Sequence, residues 1–196
     1  MTLSEETLPR HALSCTCGKM RGYVEVSRRI NRGICYCKDC QRYARYLGGE
    51  GLLDEQGGTQ VVQTLPRYLH FDSGFEHIAC VRLSSRGLLR WYAACCRTPL
   101  GNTMANFKMS FVGIPHTCLG DDSDALDRSF GPMRMRIHTA SALGEQPLKS
   151  QGALAAMASI TRMLIAARWD GSYRVNPFFS GDGTPVAQPV VLERLD

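Results

Sequence analysis

Residues 35–40 read Cys-Tyr-Cys-Lys-Asp-Cys, and the run Gln-Arg-Tyr-Ala-Arg-Tyr-Leu follows directly at 41–47. A Cys-x-Cys pair can chelate one ion from the end of a strand, and a Cys-x-x-Cys pair does so from a tight turn whose backbone N–H groups point at the sulfurs. Fused here, the two pairs predict one metal site with three thiolates from a single loop. A short helix is expected from Asp39 to Leu47, because a carboxylate near a helix start stabilises the first turn.

The fourth coordination position decides what such a site does. Zinc sites closed by four protein ligands are structural, whereas catalytic sites keep a position for water or substrate. Three thiols in one loop favour an open site. The other interpretation is that a distant Cys or His closes the tetrahedron, so that the ion only supports the fold. The candidates for a fourth ligand or a proton shuttle, none at metal-ligand spacing from another, are His70, His77, His116 and His138.

Further cysteines lie at chelating spacings. Cys15-Thr-Cys17 precedes Gly18, and glycine suits the turn of a metal knuckle because it accepts positive φ. Cys95 and Cys96 follow an apolar and aromatic run at 88–92. The remaining two cysteines, Cys80 and Cys118, follow or alternate with apolar residues and fit ordinary buried thiols.

Composition narrows the class of protein. The chain has 196 residues, enough for one domain whose core needs no disulfides, and its nine cysteines point to metal ligation in a reducing compartment. The formal charge of +5 is not concentrated in long basic runs, so we do not predict nucleic acid as a partner.

Neither a signal peptide nor a transmembrane helix is expected. The N-terminus has no apolar segment typical of secretion, and the most apolar stretch, 152–169, is short and interrupted by Arg162 and Arg168. We therefore expect a cytoplasmic protein with no membrane partner. The oligomeric state stays open.

Short runs of period two, separated by turn residues, predict a mainly β region before the composition changes at Gly120. We accordingly divide the chain into a zinc-binding β domain at 11–118 and a C-terminal extension at 119–196. The extension is predicted to contain an amphipathic helix at about 149–169, packed on the β core. The residues that recur there at helical spacing are Leu154, Met157, Ala158, Thr161, Leu164, Ile165 and Arg168.

Three cysteine motifs, in this order, resemble the glutathione-dependent formaldehyde-activating enzyme family, whose relatives include centromere protein V. They are Cys15-x-Cys17-Gly18, Cys35-x-Cys37-x-x-Cys40 and Cys96-x-Thr98-Pro99-Leu100. The resemblance covers 14–113, and the chain is most similar to an uncharacterised branch of that superfamily. It implies a mainly β fold of the β-tent (Mss4-like) type around zinc, with a short helix after the central Cys loop and a C-terminal amphipathic helix.

The resemblance also implies roles for the cysteines. Cys35, Cys37 and Cys40 correspond to the ligands of a catalytic zinc, and Cys15 and Cys17 to half of a structural zinc site.

The other half of that structural site departs from the family pattern, which is Cys-x-x-Cys-Gly-Thr-Pro. Cys96 falls on the second Cys, but Ala93 stands at the first and Arg97 at the glycine. Cys95 is the nearest substitute, and adjacent cysteines share an ion only in a constrained geometry. We therefore expect one zinc ion or two.

The implied activity is that of a zinc-dependent carbon–sulfur lyase, with a small-molecule thiol such as glutathione and a small aldehyde such as formaldehyde as partners. The ligands suit it, because an ion held by three thiolates generates hydroxide poorly and is better suited to bind a further thiolate. Arg42 and Arg45, on the helix after the ligands, are candidates to bind glutathione carboxylates. Their other interpretation is a solvated helix face.

The alternative function is a non-catalytic, zinc-supported binding module for protein or nucleic acid. The incomplete second motif, the C-terminal extension and the modest positive charge favour it. A redox thiol protein is disfavoured, because no thioredoxin-like βαβ pattern surrounds the cysteines.

Overall fold

The computed structural model describes residues 8–27, 30–49 and 51–192, which form two β-sheets and three α-helices. The helices are α1 (Lys38–Leu47), α2 (Ser123–Phe130) and α3 (Ala153–Trp169). The strands are β1 (Arg10–Ser14), β2 (Arg21–Glu25), β3 (Asn31–Cys35), β4 (Thr59–Thr64), β5 (Leu69–Ser73), β6 (Ile78–Arg82), β7 (Leu89–Ala93), β8 (Thr98–Thr103), β9 (Val112–Pro115), β10 (Met135–Ile137) and β11 (Val190–Val191). The prediction of a mainly β chain is confirmed. None of the helices in the described ranges is long and apolar enough to cross a membrane.

Two sheets of unequal size make up the architecture. β1, β2 and β5 form a three-stranded antiparallel sheet. The other strands form an eight-stranded sheet in the order β10-β3-β4-β9-β8-β7-β6-β11. Its inner pairs are antiparallel, whereas the edge strands β10 and β11 run parallel to β3 and β6. Both edge strands come from beyond Gly120, so the C-terminal part of the chain completes the same sheet.

One apolar core takes side chains from both sheets. Trp91 of β7 is fully buried and stacks on Phe178, with ring centroids 4.8 Å apart. Phe71 of β5 meets the same Phe178 ring edge-on at 5.7 Å. A residue from the C-terminal segment therefore joins the two sheets, although it lies far along the chain from both strands.

Gly33 of β3 permits the close approach of β10. A Cβ atom at this position would lie 2.3 Å from the carbonyl oxygen of Met135, which is closer than any real contact. The pairing of β10 with β3 sets Ile137 opposite Cys35. As a result, the residues that follow β10 lie beside the loop that follows β3.

α3 packs on β4 and β10 through the face opposite to the one that its sequence pattern predicts. The buried side chains are Ala156, Met163 and Ala167. Leu154 and Ile165, expected in the packed face, are 84% and 61% exposed. The pattern was misleading because the helix is apolar around most of its circumference, so its periodicity does not identify the buried face. The alanine side chains on the observed buried face allow the helix to approach the sheet closely.

Phe178→Ala should lower the free energy of unfolding by about 3–5 kcal/mol, because it leaves a cavity between the sheets. Urea unfolding followed by Trp91 fluorescence measures the change. Phe75→Ala is the matched control, since Phe75 is 56% exposed, and it should cost less than about 1 kcal/mol. Equal losses in the two variants would contradict a core shared by both sheets.

Candidate metal centres

The loop between β3 and α1 gathers the first group of thiols. The Sγ atoms of Cys35, Cys37 and Cys40 all lie within 4.8 Å of one another. Cys37 is the N-cap of α1, and its sulfur accepts a hydrogen bond from the backbone N–H of Cys40 at 3.3 Å. Because a helix N-terminus favours negative charge, the start of α1 stabilises a thiolate at this point.

Hydrogen bonds among these thiols concentrate negative charge on one sulfur. Donation from Cys35, and then from Cys40, lowers the pKa of Cys37 to about 2. The same hydrogen bond, from Cys35 to Cys37, raises the pKa of Cys35. Hydrogen bonds thus link the three sulfurs. A metal ion that binds here displaces the protons of those bonds.

The three-thiol loop opens onto a cleft of about 480 Å³. Leu88, Phe111 and Ile137 form part of its apolar wall. Polar groups at the cysteine end include Lys38 and Asp39 of α1. Three thiol ligands therefore lie beside a cleft with room for a small molecule, as in metal sites that keep one coordination position for substrate.

Arg90 of β7 is a residue of this site that the sequence analysis missed. It is 2% exposed and lines the cleft. Its Nη1 donates to Asn102 Oδ1 at 3.4 Å and lies 3.9 Å from Cys40 Sγ. Its guanidinium also lies over the Tyr43 ring, 5.1 Å from the centroid. The sequence contained one signal for Arg90, which is the single cation in the apolar run at 88–92. A cation buried in such a run needs a partner, so its position indicated a polar site.

His138 also belongs to this cleft. It directly follows β10 and adopts a left-handed backbone with φ of 55°, a conformation that costs a non-glycine residue about 1–2 kcal/mol. The buried Gln41 side chain fixes the neighbouring turn, since its amide donates to Tyr36 O at 2.9 Å and to Ser141 O at 2.7 Å. Because backbone strain concentrates at functional sites, this conformation makes His138 a candidate functional residue.

The other three histidine candidates lie elsewhere. His70 stacks on Tyr23 with centroids 4.7 Å apart, and His77 lies 3.5 Å from Glu76. Burial lowers the pKa of His116. In the part of the chain that the structure describes, only His138 of these candidates lines the three-thiol cleft.

Arg42 and Arg45, the candidates for glutathione carboxylates, do not line that cleft. Arg42 donates to Leu83 O at 3.0 Å. Arg45 is exposed in the last turn of α1. The cations that line the cleft among the described residues are Lys38 and Arg90, with His138 as a titratable neighbour.

A second cluster contains four cysteines from two turns. Cys15 and Cys17 lie between β1 and β2, and Cys95 and Cys96 between β7 and β8. Sulfur separations are 3.5 Å for Cys15–Cys17, 3.4 Å for Cys17–Cys95 and 3.7 Å for Cys95–Cys96. Four sulfurs at about 2.3 Å from one tetrahedral zinc would be about 3.8 Å apart. The cluster therefore fits a closed site.

The turn at 93–97 explains how adjacent cysteines reach one site. The backbone N–H of Arg97 donates to Ala93 O at 2.7 Å, and Arg97 has a positive φ of 59°. Arg97 thus adopts the left-handed conformation that glycine adopts most readily. Its guanidinium donates to Tyr46 O at 3.1 Å, a contact that helps to hold the turn.

Threonine hydroxyls favour a thiolate within this cluster. Burial by itself raises the pKa of the Cys96 thiol, but hydrogen bonds involving Thr16 and Thr98 lower it to about 5. Burial raises the pKa of Cys80 and of Cys118 to about 12. These two thiols stay protonated and lie outside both clusters, as expected of packing residues.

Both cysteine clusters can thus bind a metal ion such as zinc. They differ in the number of ligands, because one supplies four thiols and the other three. The three-thiol cluster adjoins the cleft.

Comparison with known proteins assigns no activity. The model of a family of unknown function, DUF6151, matches residues 9–189. No curated protein matches the chain. Among solved structures, the chain is similar to a crystal structure of a Rhodobacter sphaeroides protein that was a structural genomics target. The two are 16% identical with a TM-score of 0.40, over 59% of this chain and 94% of that one.

We expect two zinc ions per chain by plasma emission spectrometry, one in each cysteine cluster. Cys96→Ser should remove one ion and Cys37→Ser the other, because serine is a poor zinc ligand beside thiolates. Cys118→Ala, which changes a buried thiol outside both clusters, should retain both ions. A Cys96→Ser protein that keeps both ions would contradict the four-cysteine site.

Arg90→Met should weaken zinc binding at the three-thiol site by about tenfold, because one nearby positive charge no longer offsets the thiolates. Chelator competition measures the zinc affinity of each site separately. The Cys96→Ser background retains the three-thiol site, and the Cys37→Ser background retains the four-cysteine site. Arg45→Met is the control and should leave both affinities unchanged. An unchanged three-thiol site in Arg90→Met would show that Arg90 has only a packing role.

Proposed function

We propose a function for this chain on the premise that it belongs to DUF6151, a family of unknown function. The proposed activity is the zinc-dependent addition of a small-molecule thiol, such as glutathione, to a small aldehyde, such as formaldehyde. The observation that carries it is the contrast between a cluster of four thiols at tetrahedral spacing and a cluster of three that faces a cleft. Closed sites support folds, and open ones bind substrates.

The resemblance of the three cysteine motifs to the glutathione-dependent formaldehyde-activating enzymes supports this proposal. We extend the proposal to the fold, and infer that the two sheets form a β-tent of the Mss4-like type. In that arrangement the four-cysteine cluster is the structural site, and Cys35, Cys37 and Cys40 hold the catalytic ion. Cytoplasmic location belongs to the same proposal, because free thiols persist in a reducing compartment.

Bound zinc would supply one thing, which is stabilisation of a substrate thiol as its thiolate at neutral pH. The chemistry then needs few protein groups. The thiolate sulfur attacks the carbonyl carbon, and the electron pair of the C=O π bond moves to oxygen. That oxygen then takes a proton to give a hemithioacetal. No paired carboxylates or Ser-His-Asp arrangement is required.

The residues of the cleft have separate roles in this scheme. Arg90, 3.9 Å from Cys40 Sγ, offsets the negative charge that accumulates when a further thiolate joins the three sulfurs. His138 is placed at the exposed mouth of the cleft, where its imidazole can return a proton to the new hydroxyl oxygen. The apolar wall at Leu88 and Phe111 limits water around the aldehyde.

Zinc-loaded protein should interconvert glutathione, formaldehyde and their adduct faster than the spontaneous reaction, as measured by NMR exchange spectroscopy. Cys37→Ser should abolish the excess rate, and Cys80→Ala should retain it, since Cys80 lies outside both clusters. His138→Ala should keep both zinc ions but lower the excess rate by about 100-fold, the usual contribution of a general acid. A rate equal to the spontaneous one would contradict the activity and favour the zinc-supported binding module.

A further inference from the structure

The outward face of α3 carries four exposed large apolar side chains. Leu154 is 84% exposed, Met157 66%, Ile165 61% and Trp169 91%. At 100° per residue these four side chains fall on one side of the helix, opposite the buried face. Scattered exposed apolar residues are ordinary, but four large ones on one side of a helix, here called the stripe, mark an interaction surface.

The segment that contains this stripe carries an excess of positive charge. α3 contains Arg162 and Arg168 and no acidic residue. By helical position Arg162 lies at one margin of the stripe, beside Trp169, and Arg168 lies within it, between Met157 and Leu154. Residues 131–176 carry six basic and two acidic side chains, which makes four of the formal five positive charges of the chain. The surface that complements α3 is therefore both apolar and anionic.

A second copy of this chain fits that requirement poorly. A helix face of 17 residues is about 25 Å long and about 10 Å wide, or about 250 Å², whereas a stable interface buries about 800 Å² per partner. In an antiparallel pair centred on the stripe, the two copies of Arg162 would lie within one turn of each other. Their repulsion would not be offset by an acidic residue of α3.

We propose that α3 docks the protein on an anionic membrane surface, lying in the interface rather than crossing the bilayer. Interfacial helices combine Leu, Ile and Trp on one face with flanking Arg, and they bind through apolar area together with attraction to anionic headgroups. This departs from the expectation of no membrane partner, which rested only on whether 152–169 can span a bilayer. The inference is independent of the proposed thiol chemistry.

The two tryptophans make the proposal directly measurable. Trp91 is fully buried and Trp169 is 91% exposed, so a shift of emission towards shorter wavelength on binding reports Trp169. Zinc-loaded protein is titrated with vesicles of pure phosphatidylcholine and with vesicles of equal parts phosphatidylcholine and phosphatidylglycerol. We expect the shift, and co-sedimentation about tenfold stronger, with the anionic vesicles, and loss of that preference as salt rises.

Matched variants separate the stripe from general surface hydrophobicity. Leu154→Gln with Ile165→Gln should weaken vesicle binding by at least about tenfold, and Arg162→Gln with Arg168→Gln should remove the preference for phosphatidylglycerol. Val190→Gln with Val191→Gln, on the exposed edge strand β11, is the control and should bind as the parent does. Zinc content and circular dichroism confirm that each variant folds.

Three results would overturn the proposal. One is an unchanged Trp169 emission with anionic vesicles. Another is an equal loss of binding in the β11 control. The last is a dimer in light scattering that becomes monomeric in Leu154→Gln with Ile165→Gln, because a second copy would then cover the stripe. None of these results bears on the zinc content or on the thiol assay, so the two proposals fail separately.

Discussion

The close approach of sulfur atoms from two separate turns is the constraint on which the structure depends. Cys15 and Cys17 lie in a turn of the three-stranded sheet, and Cys95 and Cys96 lie in a turn of the eight-stranded one. Sulfurs 3.4 Å apart, as in Cys17–Cys95, need either shared protons or a cation between them. A metal ion in this position would tie the two sheets together, and its binding energy would then also be folding energy.

The same ligand chemistry serves a different purpose in the loop after β3. There the three sulfurs come from one short segment, so they contribute little to holding distant parts of the chain together. Instead the surroundings supply what the loop lacks. β7 contributes the buried Arg90, and His138 follows β10 directly. Gln41 donates a hydrogen bond to the turn that follows His138. A charged, partly apolar cleft results beside sulfurs that already favour a thiolate.

Local chemistry explains which features were predictable. The spacing of Cys35, Cys37 and Cys40 is visible along the chain, because one loop sets the chelating geometry. The partnership of Cys95 with Cys96 was uncertain, because it depends on the left-handed conformation of Arg97. Arg90 and His138 were not predicted to line the same cleft, because β7 and the residue after β10 lie far apart along the chain. The outward face of α3 was assigned wrongly because an almost uniformly apolar helix has no clear polar side.

The sequence by itself determined the mainly β character, the chelating spacing of the cysteines, the helix that follows the loop at 35–40 and the helix near 149–169, because short-range spacing encodes all four. Only the tertiary structure decided which four thiols share a cluster, which cation lies beside Cys40 and which face of α3 stays uncovered. Those outcomes depend on strand register and on how closely small side chains allow neighbouring elements to pack. Neither can be deduced from the spacing of residues along the chain.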